Sequence, residues 1–124
     1  MNQQQTRLFV VVDPTAEHQL ALVKALLIAK LGNCHIHAFL CTYKNMKQAE
    51  NHASRQDFER SALEDANHWL EQLMQPCEVS GVPYTTEVTW NSKWVDSAIR
   101  AIEKSGCDLV IKSSFHHSKA RRFF

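Results

Sequence analysis

Residues 7–12, Arg-Leu-Phe-Val-Val-Val, constrain the fold more than any other stretch. A strand with one wet face alternates apolar and polar residues. This run is apolar without a break from Leu8 to Val12, the pattern of a strand covered on both faces, as in a parallel sheet with helices above and below it. Asp13-Pro14-Thr15 stops the strand and supplies a helix start, since proline is tolerated in a first helical turn. A helix is expected from there to about Leu31. Leu20, Val23, Leu27 and Leu31 form one apolar stripe along it, widened by Leu22, Leu26 and Ile28, and such a stripe is the face a helix turns to a core.

The alternation continues. Cys34–Thr42 reads as a second strand, followed by a polar connection over 43–56. Asp57–Met74 is an amphipathic helix with Phe58, Ala62, Leu63, Ala66, Leu70 and Leu73 on one face, and Pro76 ends or kinks it. Tyr84–Trp90 is rich in β-branched and aromatic residues and reads as a third strand. Asn91 or Ser92 can cap a third helix, in which Val95, Ala98, Ile99 and Ile102 recur at helical spacing. Asp108–Lys112 is the fourth strand. Gly32, Gly81 and Gly106 each stand between a helix and the next strand, where a helix end favours a left-handed residue. The order β-α-β-α-β-α-β predicts an α/β fold: a three-layer, open, mostly parallel sheet with right-handed crossovers. Ligands of such sheets bind outside the carboxyl ends of the strands, here after Val12, Thr42, Trp90 and Lys112. No glycine stands in any of those four loops.

Fourteen Lys and Arg against 13 Asp and Glu leave a formal charge of +1, which gives no electrostatic case for nucleic acid or an anionic membrane as a partner. The apolar stretch Leu20–Leu31 contains Lys24 and Lys30 and is too short to span a bilayer. The polar N-terminus, Met1-Asn2-Gln3-Gln4-Gln5, has no apolar signal-peptide core, so the chain reads as cytoplasmic. Cys34, Cys41, Cys77 and Cys107 form no C-x-x-C pair and read as small buried or half-buried thiols. His35 and His37, with Cys41, have ligand-like spacing but no third partner that must join them, so they read as polar tips at the sheet surface and no metal site is assigned. His116-His117 reads as an exposed pair. Trp69 lies beside the buried stripe of the second helix. Trp90 and Trp94 flank the junction into the third helix, as packing contacts or as the wall of a pocket. No Ser-His-Asp order, paired-carboxylate motif or H-E-x-x-H is present, and no catalytic mechanism can be built.

Several of these pieces resemble the universal stress protein family. They are Val10-Val11-Val12-Asp13-Pro14 leading into a helix, His37-Ala38-Phe39-Leu40 before a long loop and helix, Gly81-Val82-Pro83 before a strand, and Asp108–Lys112 after Gly106. The Asp13-Pro14 turn, the Trp90-Asn91 junction and Lys112 most resemble the first domain of the tandem-domain type. The resemblance covers residues 7 to about 119. It implies a sheet of order 3-2-1-4-5, like that of the adenine nucleotide α-hydrolase-like folds, and a last strand used for pairing between domains or protomers. Residues 1–124 then form a single domain that is incomplete at its C-terminus, with order 3-2-1-4 and the fifth strand missing. The expected partner is another copy, as a homodimer, or a second domain of the same family. Residues 113–124 are expected to pack on the open edge, pair with another chain, or stay partly disordered.

Nucleotide-binding members of the family carry a loop after the fourth strand with glycine, two residues, glycine, nine residues, glycine, then serine or threonine. Glycines there let backbone N–H groups approach phosphate oxygens. On this chain the first glycine becomes Ser113, the second His116, and the third would fall beyond Phe124. The candidate site is therefore a degenerate one: Asp13, Pro14, Cys41, Lys112, Ser113, Ser114 and His116. Asp13 matches the family position beside the adenine. Lys112, Ser113, Ser114, His116 and Lys119 can meet an anion through side chains. The reading is a non-enzymatic stress-response domain, a ligand-binding or assembly module with no firmly expected cofactor. Its alternatives are a switch that binds, or slowly hydrolyses, ATP and a domain that binds a hydrophobic ligand or a protein partner.

Overall fold

The computed structural model describes residues 4–44 and 54–113. Four strands, β1 (Thr6–Val11), β2 (Cys34–Thr42), β3 (Tyr84–Trp90) and β4 (Leu109–Lys112), form one sheet in the order β3-β2-β1-β4. Every pairing is parallel; Val10 lies between Ala38 and Ile111, and Thr42 opposes Trp90. The helices are α1 (Leu20–Ala29), α2 (Arg55–Leu73), α3 (Gln75–Ser80) and α4 (Trp94–Ser105). This is the α/β class expected from the sequence and the strand order that the family resemblance implies.

Strand alternation divides β1 between two cores. Leu8, Val10 and Val12 join Ile36, Ala38, Leu40 and Ile111 beneath α1, α2 and α3, where Leu70, Met74 and Cys77 are fully buried. Phe9 and Val11 join Phe39 and Cys41 on the opposite face, under Ala98 and Ala101 of α4. The unbroken apolar run in β1 is needed because both of its faces are covered.

Four local readings are corrected. First, α1 begins at Leu20, several residues after Pro14, because a structured loop intervenes. It buries Ala21, Leu22, Ala25 and Ala29, so the stripe of Leu20, Val23, Leu27 and Leu31 faces outward. Three alanines in the inner stripe let the helix backbone approach the sheet closely, and that packing overrides the size of the leucines. Second, α4 buries Ser97, Ala98 and Ala101 and leaves Val95 and Ile99 exposed. Its N-cap is Lys93; Asn91 instead accepts from the Lys93 amide at 2.8 Å in a turn just before the helix. Third, Gly81 and Gly106 are left-handed, with φ of 71° and 65°, and Gly32 is not. Fourth, Pro76 does not only end α2: it starts a further short helix, α3, as its fixed φ permits in a first turn.

Candidate functional site

β1 lies between β2 and β4, and the crossover helices that lead to these two strands, α1 and α4, cover opposite faces of the sheet, so a crevice opens at the carboxyl ends of the strands. A cleft of about 690 Å³ lies there, lined by residues at the carboxyl ends of all four strands. That volume is in the range of small-molecule sites, about 300–1,000 Å³. Its wall is Asp13, Pro14 and Thr15 after β1, Cys41, Thr42 and Tyr43 from β2, Asn91, Ser92 and Trp94 after β3, and Lys112 of β4.

The β1–α1 loop is held by its own polar groups. Asp13 is buried, and its Oδ1 accepts from the amide and the hydroxyl of Thr15 at 2.8 and 2.7 Å. Gln19, also buried, closes the loop: its Oε1 accepts from the Asp13 amide at 3.0 Å, and its Nε2 donates to the Asp13 and Ala16 carbonyls at 2.8 Å each. The Ala16 amide returns to the Asp13 carbonyl at 3.4 Å, and Pro14 has no N–H. The amides of residues 13, 15 and 16 are thus engaged within the loop. It presents a fixed carboxylate and no nest of free amides for an anion.

Across the cleft, Lys112 lies 5.5 Å from the centre of the Trp94 ring, a cation–π contact, and donates to the Ser113 carbonyl at 2.9 Å. Cys41 donates its thiol to the Asn91 carbonyl at 3.3 Å. Burial pushes that thiol up from its ordinary value, against smaller opposing contributions from Ser97 and the Asn91 backbone; it therefore stays a neutral donor and is no thiolate nucleophile. Tyr43 packs on Trp90 with ring centres 5.3 Å apart, and Trp90 meets Phe58 edge-on at 6.1 Å. These contacts fix the ends of β2 and β3 behind the cleft.

The structure brings Asp13, Pro14, Cys41 and Lys112 to one cleft. Ser113 adjoins it through the carbonyl held by Lys112. Ser114, His116, His117 and Lys119 lie outside the described residues. Of the two readings of Trp94, the pocket wall holds, whereas Trp90 is a packing residue. Gln19 was not legible as a site residue; its only signal is a long polar side chain just before an apolar helix. His35 and His37 share the Thr85 hydroxyl, at 3.0 and 2.7 Å, and His37 reaches Glu87 at 2.9 Å. Among the described residues, no group of three or more His, Cys, Asp or Glu is placed to hold a metal ion. No helix among them is long and apolar enough to cross a membrane.

Fold and cleft define an open parallel α/β domain with a small-molecule-sized site at its topological switch point. Comparison with known proteins makes the class more specific. Universal stress protein E of Escherichia coli K12 is 24% identical over 115 residues, 90% of this chain and 36% of that protein. The chain thus spans about a third of the length of that relative. A universal stress family protein from Burkholderia pseudomallei has the same fold, with a TM-score of 0.68 at 17% identity, over 94% of this chain and 86% of that one. An Arabidopsis thaliana family protein, whose structure has AMP bound, gives a TM-score of 0.57 at 14% identity, over 93% and 82%. No family model matches the chain. The similarities in sequence and in fold support the resemblance to the universal stress protein family.

Proposed function

We propose that the chain is a stress-response domain that holds an adenine nucleotide with few phosphates in this cleft and does not turn it over. The observation that carries the reading is the polarity of the cleft: a buried, fixed Asp13 carboxylate on one side and the Lys112 ammonium over Trp94 on the other. A carboxylate suits a donor-bearing ligand such as a ribose diol or an adenine amine, and a lysine suits a phosphate. The AMP in the Arabidopsis neighbour supports the same class of ligand. The engaged amides of the β1–α1 loop and the serine in place of glycine at position 113 argue against a backbone cradle for a triphosphate. Pairing with a second family domain would use the outer edge of β4, which has β1 alone as a strand neighbour among the described residues.

Isothermal titration with adenosine, AMP and magnesium ATP tests the reading. AMP binds, and ATP binds no more tightly than AMP. Asp13→Ala weakens AMP and adenosine alike by about tenfold or more, the scale of a hydrogen bond to a charged group. Lys112→Ala weakens AMP and leaves adenosine unchanged. No heat from any of the three at millimolar concentration removes the nucleotide reading. Tight ATP binding with phosphate release would favour the ATP-hydrolysing switch instead.

A further inference from the structure

The outward leucines of α1 are not a scatter of exposed apolar residues. Leu20, Val23, Leu27 and Leu31 are 60%, 54%, 57% and 87% exposed, and their spacing of three, four and four residues keeps them on one side of the helix. The opposite side is buried by Ala21, Leu22, Ala25 and Ala29. Between Leu20 and Ala29, Lys24 is the only charged residue. A helix that is apolar all round belongs in an interior. The stripe amounts to on the order of 400 Å² of apolar surface, the size of the largest patch on a typical monomer, which is often functional.

The sequence of this face names its occupant. Glu17, in the loop three residues before α1, and Lys30, its C-cap, lie equally far along the chain from the point between Val23 and Lys24, and so do Leu20 and Leu27 within the helix. Glu17, Val23, Leu27 and Lys30 also line one groove, closed on its far side by Leu73 and Pro76, so charges and apolar residues share a side. A two-fold axis through that point makes the face complementary to itself, as an isologous interface requires. We infer that the outer face of α1 binds a second copy of this chain, with the two α1 helices antiparallel. Leu20 of each copy then packs on Leu27 of the other, the two Val23 side chains meet at the axis, and Glu17 faces Lys30 twice. Lys24, at the stripe's border, lays its stem along the facing valine and keeps its ammonium in water. The two stripes together bury about 800 Å², less than the roughly 1,200–2,000 Å² of a stable specific interface, so the dimer is weak and concentration-dependent. This inference does not rest on the nucleotide cleft.

Sedimentation equilibrium of the whole chain, from about 10 μM to 1 mM, reads the association constant directly. Leu27→Asp, Glu17→Lys and Lys30→Glu each raise the dissociation constant by about tenfold or more, and the double variant Glu17→Lys/Lys30→Glu returns it to within about threefold of the original. These positions are exposed, so far-UV circular dichroism of each variant stays unchanged. Three results would overturn the inference: no association over that range, association that Leu27→Asp leaves intact (as pairing along the β4 edge would), or a double variant as weak as either single one.

Discussion

Gln19 has the largest consequence for the site of any residue that does not line it. Its side chain makes three hydrogen bonds inside the β1–α1 loop, to the amide and carbonyl of Asp13 and to the carbonyl of Ala16. Gln19→Ala leaves the two buried Asp13 backbone groups without these partners. Each hydrogen bond is worth about 1 kcal/mol net, and a buried orphan costs about 1–3 kcal/mol, so the substitution costs about 3 kcal/mol. For a chain of this size that is about 10 °C in Tm. Gln19→Glu separates the hydrogen bonds from simple volume: it is nearly isosteric and keeps the acceptor for the Asp13 amide. It loses both donors, however, and sets oxygens against two carbonyls. It should therefore destabilise about as much as the alanine variant. Urea unfolding followed by far-UV circular dichroism measures both, with the slope m unchanged if only the native state is affected. A loss below about 1 kcal/mol for Gln19→Ala, or a Gln19→Glu variant as stable as the original, would refute the assignment of Gln19 as the clasp of the loop.

Other expectations follow from single features. Gly81→Ala and Gly106→Ala each cost about 1 kcal/mol, because both glycines are left-handed; Gly32→Ala, with no positive φ and open space around its α-carbon, is neutral or stabilising in the same unfolding assay. Burial pushes the Cys77 thiol up to about 11. Between its ordinary value of 9.0 and that value the unfolded chain loses the proton first, so stability falls across this alkaline window. Cys77→Ala should flatten that part of the pH profile, and iodoacetamide at pH 8 should label the half-exposed Cys107 well before Cys77. His35 is held below its ordinary 6.5, first by desolvation and then by Arg7 and His37. As pH falls through 6.5 the unfolded chain takes up the proton before the folded one does, so His35 lowers stability there. Arg7→Ala should raise the His35 midpoint in an NMR titration, and an unmoved midpoint would show that Arg7 does not act on it.

β2 and β3 were legible to the residue, because their β-branched and aromatic content and flanking turn residues agree with the pairing the sheet requires. The parallel α/β class followed from the alternation of strands and helices, whereas the strand order came from the family resemblance, because alternation alone does not say on which side of β1 the fourth strand lies. The orientation of α1 was not legible. Its periodicity offers an alanine-rich stripe and a leucine-rich stripe on opposite sides, and the choice depends on how closely the helix must approach β1 and β4. The gap between Pro14 and Leu20 was hidden for a related reason: an Asp-Pro-Thr sequence starts helices often, and here a glutamine six residues on turns it into a closed loop. The cleft residues Asp13 and Lys112 could be located because each stands where an apolar run stops at the carboxyl edge. The partners that fix them, Gln19 and Trp94, are set by tertiary packing.

The central claim is that the cleft at the carboxyl ends of the strands binds an adenine nucleotide between Asp13 and Lys112. A ¹⁵N–¹H NMR titration of the whole chain with AMP tests it most directly. Binding between Asp13 and Lys112 gives saturable shifts in the amides of Asp13, Thr15, Thr42 and Asn91 and in the Trp94 indole N–H, with the Trp69 indole and the α1 outer face unmoved. A spectrum that AMP leaves unchanged at millimolar concentration, or shifts confined to a surface away from the cleft, would contradict it.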